Sequence, residues 1–265
     1  MNSTRPAARI LAITSGKGGV GKTFVAANLA AALAKRGRRV LVLDADLGLA
    51  NLDIVLDLNP KATLHDALTG KCSVKDIVLA APGGFWVLPA ASGLIEYSRL
   101  TSDVQDELRR IIDDLSGQYD YLLLDTGAGI SDLVLYVASL AKEVLIVATP
   151  EPASIADAYA TIKILALMQQ RTSLNLVFNQ ARNAADGRKL TEQLQQVVDR
   201  FVNTRGSTTV KLAHLGHIPI DPAVSGAARK RQLLFVEAPQ APASKAVAAL
   251  AETLDSPAKE RSTAI

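Results

Sequence analysis

Residues Gly16-Lys17-Gly18-Gly19-Val20-Gly21-Lys22-Thr23 satisfy the phosphate-cradling pattern G-x-x-x-x-G-K-[ST] and carry one more lysine, Lys17, inside the loop. The flanks decide what the run means. Before it, Arg9-Ile10-Leu11-Ala12-Ile13 has the pattern of a short buried strand, and after it Phe24 to Lys35 is an Ala/Leu-rich helix pattern. Strand, glycine loop and helix in that order are what a phosphate loop requires. The glycines let the backbone turn tightly, so that successive N–H groups point at phosphate beside a helix N-terminus carrying partial positive charge. Lys22 adds a point charge at the β- and γ-phosphates. Thr23 offers a hydroxyl to Mg2+, a cation that usually keeps several waters and takes only one or two protein ligands. The chain is therefore expected to handle a nucleoside triphosphate.

Outward from the loop, apolar runs recur at Val40–Leu43, Phe85–Leu88, Tyr121–Leu124, Val144–Val147 and Leu174–Phe178. They are continuous rather than alternating, as in strands covered on both faces. Between them lie helical patterns at about Asp103–Leu115, Asp132–Ala141, Ser154–Met168, Arg188–Phe201 and Ser244–Leu254. The alternation predicts an α/β fold with a doubly wound, mostly parallel sheet flanked by helices, in one domain over 1–255 with a disordered polar tail at 256–265.

In such a sheet the ligand lies outside the carboxyl ends of the strands. Those ends carry chemistry here. The second predicted strand runs into Asp44-Ala45-Asp46-Leu47-Gly48-Leu49-Ala50-Asn51, the fourth into Asp125-Thr126-Gly127-Ala128-Gly129, and the sixth into Asn179-Gln180. Three carboxylates facing a phosphate loop suit a Mg2+ ion and an attacking water. Any one of them alone reads equally well as a helix cap.

Composition narrows the function classes. The 265 residues are 49% hydrophobic, enough for a large core, while a net charge of +3 and 4% aromatic content give little for reading nucleic acid by sequence or stacking on single-stranded bases. Cys72 is the single cysteine, so no intrachain disulfide can form; it reads as a small half-buried apolar residue in a reducing compartment. Met1 to Arg9 has no signal-peptide core, and no stretch reaches the ~20 uncharged apolar residues that span a bilayer. A soluble, cytoplasmic protein is expected. His214 and His217 lie three apart with no third ligand type nearby and read as turn-lining, and Arg229-Lys230-Arg231 as a solvated or partner-facing surface.

With Lys17 inside its loop, the sequence resembles the deviant Walker-A ATPases that include MinD and ParA. Within them it is most similar to the FlhG/FleN branch of flagellar-number regulators, through Asp44–Leu58 (DADLGLANLDIVLDL), Leu88–Gly93 (LPAASG), Asp125–Ser131 (DTGAGIS) and Glu151–Lys163 (EPASIADAYATIK). The likeness runs from about Ile10 to Leu254. It implies that the Gly16–Thr23 loop binds ATP or ADP, that Lys22 and Thr23 hold phosphate and Mg2+, and that Lys17 reaches the phosphates of a partner subunit in an ATP-sandwiched homodimer. It further implies that Asp46 positions or activates the attacking water and that Asp44 and Asp125 hold Mg2+ through water. The backbone from Gly127 to Gly129 would sense the γ-phosphate. Asn179 and the Ile218-Pro219-Ile220-Asp221 segment would meet adenine, although Asn179 also reads as an ordinary strand-end turn former.

The implied role is a slow, dimerising switch ATPase that regulates flagellar number, placement or gene expression. Its implied partners are a FleQ-type transcription activator, an FlhF-type GTPase or the flagellar switch (C-ring) proteins. Two departures qualify this. Only a few residues precede the first strand, where many FlhG-type proteins carry a DQAxxLR segment that stimulates FlhF. The last helical pattern, SKAVAALAETL, is alanine-rich, so contact with membrane or cell pole is expected to be weak or transient. A ParA/MinD-like positioning ATPase acting on DNA or a membrane surface is the alternative. A metabolic P-loop enzyme of the dethiobiotin-synthetase kind fits less well, because of the switch-like stretch after Asp44.

Overall fold

Strand β1 (Arg9–Ser15) leads through the glycine loop into α1 (Lys22–Lys35). This pair forms the centre of a computed structural model that describes residues 7–48, 50–90, 100–204 and 209–256. Then come β2 (Val40–Ala45), three short helices α2 (Leu52–Val55), α3 (Leu64–Leu68) and α4 (Val74–Ile77), and the strands β3 (Leu79–Ala81) and β4 (Phe85–Leu88). The rest alternates: α5 (Ser102–Ser116), β5 (Tyr121–Ala128), α6 (Asp132–Leu140), β6 (Glu143–Ala148), α7 (Pro152–Gln169), β7 (Ser173–Ala181), α8 (Ala184–Phe201) and β8 (Lys211–Pro219). Helices α9 (Pro222–Arg229), α10 (Leu234–Glu237) and α11 (Pro242–Asp255) close the chain. The strands form one eight-stranded sheet in the order β3-β4-β2-β5-β1-β6-β7-β8, parallel except for the β3–β4 edge.

The continuous apolar strands have the cause the sequence suggested. Along β1, Leu11 and Ile13 point into a core shared with α1 and α11, while Ala12 between them points into the core under α5, α6 and α7. Both layers consist of buried apolar side chains. Burying one such Leu or Ile stabilises the fold by about 1.5–3 kcal/mol. Helix α1 is apolar around its whole circumference because the sheet lies on one side and α10 and α11 on the other; Val25 to Leu33 are all buried. Its one interior polar side chain, Asn28, is satisfied locally, donating to the Phe24 carbonyl at 2.8 Å and accepting from the Phe235 N–H at 2.9 Å.

Every predicted strand and helix is present. The edge strands β3 and β8 were not predicted. In β8 (KLAHLGHIP) His214 and His217 interrupt the aliphatic residues, so the apolar run is broken. The expected tail falls on 257–265, outside the described residues apart from Ser256, as does part of the LPAASG stretch. No helix among the described residues is long and apolar enough to cross a membrane.

Candidate functional site

The phosphate loop is shaped by glycine. Gly19 and Gly21 have φ of 76° and 92°, a region where a side chain is strained. Gly16 is needed for closeness instead: a Cβ there would lie 2.2 Å from the Asp157 carbonyl oxygen in α7. Gly18 borders open space. Two bonds fix the start of the loop, from the Ser15 hydroxyl to the Lys17 carbonyl at 2.7 Å and from the Gly129 N–H to the Ser15 carbonyl at 2.8 Å. The second ties the loop to the segment after β5. Asn179, at the end of β7, braces the far side: its Nδ2 donates to the Val20 carbonyl at 2.8 Å, and its Oδ1 accepts from the Gln180 N–H.

Parallel pairing of β2 with β5 sets Asp44 opposite Asp125, and the pairing of β5 with β1 sets Asp125 beside Ile13. Both carboxylates are 2% exposed. Asp44 is held by three backbone N–H groups, with Oδ1 accepting from Asp46 and Oδ2 from Asn51 and Leu52 at 3.1–3.2 Å. Burial nonetheless raises its pKa to about 6. Asp125 is raised further, to about 7, first by burial and then by the neighbouring Asp44, and its Oδ1 has no hydrogen-bond partner. Burial lowers the pKa of the Lys22 ammonium, with the negative charges of Asp125 and Asp46 opposing that shift. A desolvated carboxylate oxygen without a partner, beside a lysine and the Thr23 hydroxyl, suits a divalent cation whose remaining ligands are phosphate and water. Among the described residues no three His, Cys, Asp or Glu side chains form a metal cage by themselves.

Asp46 comes in from β2 and packs against the backbone of Gly127; a Cβ on Gly127 would meet the Asp46 carboxyl at 3.4 Å. Lys22, Thr23, Asp46, Asn51 and Gly127 line one open cleft of about 920 Å³, a size that accommodates a nucleotide. Helix α6 begins at its edge, with Ser131 as N-cap.

Other residues take different places. Lys17 forms an ion pair with Glu151 of its own chain at 2.9 Å. Asp221 caps α9, with Oδ1 accepting from Ala223 N–H and Oδ2 from the Ala243 N–H at the start of α11, while Pro219 ends β8 opposite Ala181. His214 stacks on Phe178 and meets the Thr191 hydroxyl at 3.3 Å under α8. Cys72 is half-buried against the core. Two residues of the site escaped the sequence reading: Asn51, which accepts from Thr23, and Glu151. Asn51 had a signal, an Asn just ahead of the helical LDIVL run, but nothing in the sequence aims its side chain at the loop.

A glycine loop between a central parallel strand and a buried helix, with two buried aspartates on neighbouring strands and a lysine at the cleft, defines a P-loop nucleotide-binding protein. The chain belongs to the ParA family of P-loop NTPases: the family profile, described as NUBPL iron-transfer P-loop NTPase, matches residues 7–255. It is 43% identical over 97% of its length to the antiactivator FleN of Pseudomonas aeruginosa, covering 89% of that protein. It is also 34% identical, over 87% of this chain and 76% of the relative, to the flagellum site-determining protein YlxH of Helicobacter pylori. Among solved structures it is similar to the septum site-determining protein MinD of Pyrococcus horikoshii complexed with Mg-ADP. That likeness has a TM-score of 0.75 and 29% identity, covering 96% of this chain and 98% of that one. These similarities place the chain with the FlhG/FleN-type members of the MinD/ParA family.

Proposed function

We propose that the protein is a Mg2+-dependent ATPase of low turnover that dimerises on ATP, separates after hydrolysis, and controls flagellar number, placement or gene expression by binding a partner in one nucleotide state. The observation that carries the reading is the meeting of Lys22, Thr23 and Asp46 at one cleft, with the paired, buried Asp44 and Asp125 next to them and the Asp125 charge felt at Lys22, in a chain 43% identical to FleN. Lys22 and the loop N–H groups bind the phosphates, and Asp46, half-buried at the cleft wall, orients the attacking water. Thr23, Asp44 and Asp125 hold Mg2+, which when bound neutralises charge on the phosphates. Adenine contact by Asn179, Pro219 and Asp221 is supported by the family likeness and by their place at the carboxyl ends of β7 and β8. The partner is a FleQ-type activator, an FlhF-type GTPase or a switch protein, met in the cytoplasm with brief contact at membrane or pole.

Single-cysteine composition gives no support to iron–sulfur ligation by this chain, which takes several thiolates. A positioning role like that of MinD is the second reading, favoured by the structural likeness to MinD and by YlxH. A partner must discriminate between the nucleotide states, because a ligand with equal affinity for both shifts nothing. The test is genetic. Deleting the gene is expected to change flagellar number per cell, most readily upward, and a Lys22→Ala copy is expected not to restore it. Unchanged flagellar number, placement and transcript levels would remove the flagellar role and leave the ATPase standing.

A further inference from the structure

Asn51 occupies the N-cap of α2 without capping it. An N-cap asparagine ordinarily accepts a hydrogen bond from the N–H groups of its own first turn. Here no such side-chain bond exists, and Oδ1 accepts instead from the Thr23 hydroxyl at 3.3 Å. The Asn51 backbone is held from the other side, since its N–H and that of Leu52 both donate to Asp44 Oδ2 at 3.2 Å. One residue thus spans the hydroxyl that ends the phosphate loop and the carboxylate that ends β2.

A threonine hydroxyl has one hydrogen and two lone pairs. Asn51 and Asp125 are both within hydrogen-bond reach of this hydroxyl, and whichever of them takes the hydrogen decides where the lone pairs point. We propose that Asn51 is a positioning residue for the cation: by taking the Thr23 hydrogen it turns the lone pairs of Oγ1 toward the cleft, and it passes the state of that hydroxyl to α2. A cation at Thr23 strengthens the hydroxyl as a donor, and so strengthens the bond to Asn51. Helix α2 is then held more firmly when the site is filled, which makes the half-exposed Ile54 on its surface report on the cleft. This rests on the reading of the cleft as a Mg2+-nucleotide site.

The test compares ADP binding by calorimetry in EDTA and in Mg2+ for the full chain, Asn51→Ala and Asn51→Asp, together with hydrogen exchange over residues 51–56. Removing a group that orients a metal ligand typically weakens metal affinity about 10–100-fold. Asn51→Ala is expected to lose about tenfold more ADP affinity in Mg2+ than in EDTA, and to lose Mg2+-dependent protection of 51–56. Asn51→Asp, which keeps the acceptor oxygen, is expected to recover part of both. A parent chain with a Mg2+ effect and an Asn51→Ala protein indistinguishable from it would overturn the inference alone. A parent chain with no Mg2+-dependent ADP binding would overturn the nucleotide reading and this inference together.

Discussion

Lys17 Nζ lies 2.9 Å from Glu151 Oε2, so the extra lysine of the phosphate loop is engaged within its own chain, at the residue that precedes α7. The partners are open to water, at 41% and 62% exposure. Exposed pairs of this kind contribute about 0–1 kcal/mol, so a partner subunit's phosphate can displace Glu151 at small cost. Lys17→Ala is expected to bind nucleotide as a monomer but not to dimerise in ATP, whereas Glu151→Gln should dimerise and melt like the parent. Light scattering decides; an ATP-dependent dimer of Lys17→Ala contradicts the role across the interface.

Lys22 stands apart from Lys17, because it sits in the cleft between Asp125 and Asp46. Lys22→Ala is expected to weaken ATP binding about a hundredfold or more, the loss expected for a charge-assisted contact of ~3 kcal/mol. Wild-type affinity by calorimetry would take Lys22 out of the site.

A Cβ on Gly127 would meet the Asp46 carboxyl at 3.4 Å, which places Asp46 at the cleft wall near the end of β5, so binding and hydrolysis should separate there. Asp46→Ala is expected to bind ATP and Mg2+ nearly normally and to hydrolyse about 10²–10⁴-fold more slowly, with the dimer persisting. Phosphate release at the parent rate would assign the water to another group; failure to bind ATP would move Asp46 into the cation shell.

Two loop glycines make a matched pair for stability. A methyl on Gly16 would collide with the Asp157 backbone at 2.2 Å, and a methyl on Gly18 would meet nothing within 4 Å. Gly16→Ala is expected to cost about 1–3 kcal/mol and Gly18→Ala less than about 0.5 kcal/mol in urea unfolding without nucleotide. Equal losses would show that the loop does not rest on α7 as described.

His214 adds a pH dependence of its own. Burial, then His217 and Arg188, lower its pKa to about 4 from an ordinary 6.5. Above 6.5 it is neutral whether folded or unfolded and carries no penalty; as pH falls from 6.5 toward 4 the unfolded chain takes up a proton that the folded chain refuses, so the His214 contribution to stability declines, while Asp44 and Asp125, whose pKa values are raised in the fold, contribute in the opposite direction. His214→Gln, which keeps a polar group for Thr191, is expected to gain stability relative to the parent as pH falls through that range. Parallel curves for the two proteins between pH 7 and 4.5 would exclude His214 as the source.

The sequence alone determined the strand–loop–helix unit, the parallel sheet and the catalogue of reactive residues at strand ends. Each of these is local: a glycine turn, an apolar run of strand length, an aspartate directly after it. The Asp44–Asp125 pair was legible as two strand ends but not as neighbours, because 80 residues separate them and only the β2–β5 register sets them side by side. Burial of that pair, and the partnerless oxygen of Asp125 that makes the site want a cation, follow from layers packed on both faces of the sheet. The packing of Gly16 on Asp157, the turn of Lys17 toward Glu151 and that of Asn51 toward Thr23 are equally tertiary. Side-chain direction is chosen by what the fold brings within about 3 Å, and no pattern along the chain encodes that distance.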